Sequence, residues 1–160
     1  MKTADEHPSL PKLTEDFLED VLITGESVDA LLDAPAEIVM RYPNCVNEDT
    51  PVARVPELFL NSSARVLVVV DERQRPRGVV TAAHLLRAAK YRSKDNLETA
   101  TVLDVSTPCG SLPDSATLRA AASVFVSQDK NHLAIINDRG AVVGMLTASD
   151  VLNAVGAWSR

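Results

Sequence analysis

Aromatic residues are scarce in this chain: one Trp, two Tyr and three Phe among 160 residues. The core therefore has to be aliphatic, built from the Val, Leu, Ile and Ala that dominate the 46% hydrophobic fraction. Positive charge is also short. Lys and Arg number 16 against 22 Asp and Glu, for a net charge of −6. That balance excludes a protein that grips nucleic-acid backbone through a basic face. It leaves room for a small anion, which one or two local Arg or Lys can hold.

Cysteine is limited to Cys45 and Cys109, with no CxxC pair and no His/Cys cluster at zinc spacing. Neither a disulfide framework nor a metal centre is expected, and both thiols read as small apolar residues, buried or half-buried. A chain of this length buries roughly 70% of its unfolded surface without such staples. Long apolar runs are missing too: nothing approaches the ~20 residues of a membrane span. The polar start MKTADEHPSL has no secretory leader pattern, so the reducing cytoplasm is the expected setting. Catalytic signatures are absent: no G-x-S-x-G, no P-loop, no H-E-x-x-H. His7, His84 and His132 fall in different elements. Neither an enzyme nor a cofactor is expected.

What is present is a repetition. GVVTAAHLL, from Gly78, returns as GMLTASDVL, from Gly144, an offset of 66 residues. The offset holds upstream, where Leu67-Val68-Val69-Val70-Asp71-Glu72 matches Leu133-Ala134-Ile135-Ile136-Asn137-Asp138. Short β-branched runs that end in acidic or amide residues read as a buried strand and its turn. A second strand follows each glycine and a helix follows each threonine. Further upstream, Val52, Val55, Leu58 and Phe59 recur at helical spacing, as do Leu118, Ala121, Ala122 and Phe125. Thr50 is the expected cap of the first helix, with Pro51 at its first position and Pro56 distorting it. Ser115 or Thr117 is the expected cap of the second.

Each unit is thus an extended lead-in, helix, strand, strand, helix: β-α-β-β-α, in a mixed α+β fold. A unit of about 60 residues makes a marginal core alone, so two copies are expected to pack face to face about a pseudo-twofold axis. The units span residues 37–92 and 101–160, with a charged connector at 93–100. Residues 1–36 form a helical extension, with Leu13, Phe17, Leu18, Val21 and Leu22 on one face and Ser27 capping a short second helix to Leu32.

Thr147-Ala148-Ser149-Asp150 carries chemistry at a strand-to-helix corner. A carboxylate accepts from two adjacent hydroxyls at once, which suits a ribose cis-diol. The helix N-terminus favours a phosphate. The same spacing also makes a plain capping box, with Thr147 at the cap and Asp150 at N3. In the first unit His84 replaces the aspartate. It is expected to break the box and leave a degenerate second cleft at Thr81 and His84.

Taken together, the duplicated lead-in, capped helix, LVVVDE strand and G-h-h-T-x-x-D corner resemble a tandem pair of cystathionine-β-synthase (CBS) domains, the Bateman module. The resemblance runs from about Ile38 to Val155. It implies a regulatory, dimeric module that binds an adenosine nucleotide such as AMP, ADP or ATP and acts on a partner protein. It implies that Asp150 holds the ribose hydroxyls, that Thr147 and Ser149 bond ribose or phosphate, and that Met145 lies beside the base. The lead-in from Val39 to Asn44 would meet the adenine edge. Ala64, Arg65, Asn131 and His132 would approach ribose and phosphate. Helices around Val52–Phe59 and Leu118–Phe125 are the implied dimer faces. The alternative is a nucleotide-free structural module with vestigial clefts.

Overall fold

The computed structural model describes residues 28–62, 64–128 and 130–158. The expected helical face from Leu13 to Leu22, the Ser27 cap and His7 lie outside the described residues.

The continuous run of valines in the first unit forms β2, Val66–Val70, every residue of which is buried. It lies between β1, Cys45–Asn47, in parallel and β3, Pro76–Thr81, antiparallel. The second unit repeats this: β4, Gly110–Pro113, runs parallel to β5, His132–Ile136, which runs antiparallel to β6, Val142–Thr147. The described helices are α1, Val28–Leu32; α2, Val55–Leu60; α3, Ala82–Tyr91; α4, Lys94–Thr99; α5, Val102–Val105; α6, Leu118–Gln128; and α7, Ala148–Trp158. The result is an α+β fold with two three-stranded sheets.

Strand periodicity explains why β2 has no polar face. Leu67 and Val69 point to the helices of their own unit, in a core with Val46, Val55, Val80 and Ala88. Val66, Val68 and Val70 point the other way, into a second apolar layer shared with Ala134 and Met145 of the other sheet. The half-buried Cys109 packs on this layer. Cys45, expected to be at least half-buried, is instead exposed, because it falls on the outward face of β1. A fully buried Val in such a layer contributes about 1.5–3 kcal/mol.

Two local expectations change. Thr50 does not cap α2. Pro51 leads into a 3-10 turn, Val52–Arg54, and the helix proper starts at Val55 with Pro56 in its first turn. A proline fits there because the amide it lacks has no intrahelical partner. The charged connector is itself helical: Ser93 caps α4 by accepting from the Asn96 amide at 3.3 Å. In the second unit Thr117 is the residue that caps, accepting from the Ala120 amide at 3.1 Å.

The lead-in arms are exchanged between units. Leu31, Ala36 and Val39, ahead of the first strand of the first unit, are buried in the core of the second with Leu118, Phe125 and Leu146. Ala100, Val102 and Val105, ahead of the first strand of the second unit, are buried in the core of the first. Backbone bonds fix both crossings. The Ala36 amide donates to the Ala116 carbonyl at 2.7 Å, and the Val102 amide to Thr50 at 2.8 Å. Beyond these points the arms reach the sheet edges, where Arg41 bridges Met145 of β6 and Thr107 bridges Val79 of β3.

Candidate functional site

Each unit turns from strand to helix at its threonine, and an exchanged arm passes close to that corner. The glycine three residues before each threonine permits the approach. A Cβ on Gly78 would stand 2.7 Å from the Thr107 carbonyl oxygen, and one on Gly144 would collide with the Met40 thioether. This is why both copies keep a glycine at this position. The arm thus lies against the strand that leads into each corner.

At the second-unit corner the capping box forms. The Thr147 amide donates to Asp150 Oδ2 at 2.9 Å, and the Asp150 amide donates to Thr147 Oγ1 at 3.2 Å. The other carboxylate oxygen is also engaged. Arg41, on the arm from the first unit, donates from Nε to Oδ1 at 2.6 Å. The Asp150 side chain is only 5% exposed, whereas the Arg41 side chain is 65% exposed. A nearly buried carboxylate needs a partner of this kind, because an unpaired charge in that position is strongly unfavourable.

The first-unit corner has the same geometry and different chemistry. Contrary to expectation, His84 does not break the box. The Thr81 amide donates to His84 Nδ1 at 3.2 Å, and the His84 amide donates to Thr81 Oγ1 at 3.4 Å. A neutral imidazole has an acceptor lone pair on Nδ1, and it serves where the carboxylate does in the other copy. Burial holds His84 below the usual histidine range, and the nearby Arg87 charge adds to this, against a hydrogen bond to the Val79 backbone. Burial likewise depresses His132, helped by His84 and opposed by Asp150.

A cavity of about 380 Å³ opens at this corner, lined by Thr81, His84, Thr107, Lys130, Asn131 and His132, among others. Asn131 and His132 line this cavity beside the first-unit corner, and His132 also lies opposite Thr147 across β5 and β6 and feels the Asp150 charge. Thr147 and Asp150 are together, with Ser149 exposed on the first turn of α7. Met145 is buried in the layer between the sheets. Val39 is buried in the second-unit core, and Asn44 lines a separate cavity of about 390 Å³ with Cys45 and Leu58. Ala64 is half-buried and Arg65 exposed, at the start of β2. Sequence reasoning missed Arg41. Its partner lies 109 residues away, and the only available signal is that a buried aspartate demands a cation.

Among the described residues no cluster of His, Cys, Asp and Glu suits a metal ion, and no helix is long and apolar enough to cross a membrane.

Two α+β units joined about a pseudo-twofold axis, arms exchanged and one threonine corner apiece, define a duplicated tandem-domain module. The model of the CBS domain matches residues 36–91 and again 102–157, well over half of the chain, so the protein belongs to the CBS-domain family and carries two such domains. No curated protein matches the sequence. Solved structures do match. The CBS domain of the bacterial CNNM/CorC family Mg2+ transporter in complex with ATP aligns with a TM-score of 0.68 at 14% identity, covering 89% of this chain and 97% of that one. A CBS domain-containing protein of unknown function from Bacillus anthracis gives 0.69 at 16% identity, covering 81% and 98%. A proposed archaeal homologue of g-AMPK from Methanocaldococcus jannaschii gives 0.66 at 17% identity, covering 76% and 50%. At these identities the likeness carries the fold.

Proposed function

We propose that this CBS pair is a non-catalytic regulatory module of the cytoplasm that binds an adenosine nucleotide at the Asp150 corner and signals to a partner protein by a change in the arrangement of its units. One observation carries the reading: a nearly buried carboxylate at the N-terminus of α7, with Thr147 beside it and the largely exposed cation Arg41 on it. An acceptor for a diol, a helix N-terminus and a guanidinium for a phosphate meet in one place. The solved CNNM/CorC relative in complex with ATP supports the choice of ligand. Thr147 and Ser149 serve ribose or phosphate. By the 66-residue equivalence, Ala64 and Arg65 stand to Asp150 as Lys130 and Asn131 stand to His84. A ligand shifts the arrangement only to the extent that it binds one state more tightly.

Titration calorimetry of the full chain with AMP, ADP, ATP and S-adenosylmethionine tests this. The expected result is sub-millimolar binding of at least one nucleotide, and at least a tenfold loss in Asp150→Ala. No binding by the unaltered protein sinks the sensing role. Binding that is indifferent to Asp150→Ala sinks the site.

A second reading, a structural module that dimerises without nucleotide, is favoured by a specific pattern on the surface. Leu86 and Leu152 are 72% and 70% exposed, Leu60 and Val126 still more so, and each pair is related by the internal repeat. These four side chains lie at the ends of α2 and α6 and on α3 and α7, and Leu58, within the stretch the sequence points to, is exposed as well. Such a twofold-matched face suits a second copy of the chain, and dimerisation is compatible with both readings.

A further inference from the structure

We propose that Arg41 makes the Asp150 cleft selective for phosphorylated ligands: it holds the carboxylate until a phosphate offers it a better partner, and only then releases Asp150 to a ribose. This rests on the nucleotide reading above and assigns it a gate.

The geometry sets up a competition for one carboxylate. Oδ2 is committed to the Thr147 amide and Oδ1 to Arg41 Nε. With 5% of the Asp150 side chain exposed and the guanidinium lying on it, an incoming diol has to displace Arg41 to be accepted. Arg41 can leave. Its backbone stays pinned to Met145 by two bonds, at 2.8 and 3.0 Å. Its side chain is 65% exposed, and it holds Asp150 through Nε alone; among the described residues its two Nη groups make no hydrogen bond. A guanidinium prefers two parallel bonds to one anion, and a phosphate offers them where Asp150 does not.

The exchange is asymmetric between ligands. A nucleotide gives Arg41 a new anionic partner while its ribose takes over Asp150, so every charge stays paired. A nucleoside takes Asp150 and leaves Arg41 with water. The cost of breaking a charge-assisted bond without replacement corresponds to roughly a tenfold to hundredfold loss of affinity. The gate also joins the units, because Arg41 belongs to the lead-in of the first and Asp150 to the second. Opening it removes one tie between them.

Calorimetry with AMP and with adenosine, on the unaltered full chain, Arg41→Ala and Arg41→Gln, tests the gate. The unaltered protein is expected to favour AMP by at least about tenfold. Both variants are expected to bind adenosine more tightly than the unaltered protein does, bringing the two ligands within about threefold. The glutamine variant keeps much of the arginine stem, and melting curves of both confirm that they fold. If AMP weakens in the variants while adenosine binding stays as it was, Arg41 is a phosphate contact and not a gate. If both affinities stay unchanged, Arg41 plays neither part. If neither adenosine nor AMP, ADP or ATP binds any of the three proteins up to millimolar concentration, the nucleotide reading itself fails and the gate with it.

Discussion

Replacing Gly78 by alanine places a methyl carbon 2.7 Å from the Thr107 carbonyl oxygen and 2.8 Å from Ser106 Oγ. Neither Gly78 nor Gly144 has a left-handed backbone, so the effect is one of space alone. At Gly78 the obstacle is backbone, held by the Val79–Thr107 bonds at 2.9 and 3.0 Å. Making room means pushing the exchanged arm off the edge of β3. Overpacking costs about 1–3 kcal/mol. Weakening two backbone bonds adds about 0.5–1.5 kcal/mol each, and the stiffer unfolded chain returns about 0.4–1 kcal/mol. The net loss centres on about 3 kcal/mol, or roughly 6–12 °C in Tm for a domain of this size. At Gly144 the obstacle is the Met40 side chain, whose flexible thioether is nearest and can turn aside, although its Cγ and Cβ at 2.9 and 3.1 Å must also give by a few tenths of an ångström. Gly144→Ala is expected to cost about 1 kcal/mol or less. Urea unfolding of both variants, read from the midpoint at constant slope, measures the difference. If Gly144→Ala proves as destabilising as Gly78→Ala, the argument that backbone yields less readily than a methionine is refuted.

His84 gives a pH test. Its folded-state value lies below the ordinary 6.5, so the unfolded chain takes up more protons as the pH falls below that value. Stability is therefore fully present above about pH 6.5 and declines as acid is added, and the Nδ1 acceptor of the capping box is lost on protonation. Melting curves between pH 8 and 5 should show this decline. His84→Asp should reduce it and raise stability at pH 7 by about 0.3–1 kcal/mol through the helix N-terminus; an unchanged acid profile would remove His84 as the cause. Leu86→Glu combined with Leu152→Glu should convert a dimer to a monomer in light scattering while leaving the melting temperature of the monomer nearly unchanged, since both side chains are exposed. A dimer that survives the double change does not use this face.

The fold was legible because the chain says it twice. One offset of 66 residues aligns β2 with β5, β3 with β6 and α3 with α7, so a weak signal in one copy is checked by the other. The start of α2 was not legible. Thr50-Pro51 and Pro56 both fit a helix start, and only packing against the exchanged arm selects between them. The exchange itself leaves no local mark: Leu31 and Val102 are apolar in either topology, and their partners lie far along the chain. At the site, the strand-to-helix corners and their threonines were visible from the repeated phrase. The imidazole acting as a cap and Arg41 covering Asp150 were not, because each depends on the protonation or reach of one side chain.

The exchanged arms also decide where this molecule can be cut. Residues 31–39 complete the second core and residues 100–105 complete the first, so the boundaries of the duplicated sequence are not boundaries of stability. A fragment that begins at the first unit and stops at the connector takes the wrong arm with it and leaves its own behind. Anyone grafting half of this pair onto another protein would do better to divide it near residue 40 and near residue 105, joining pieces that are adjacent in space although distant in sequence.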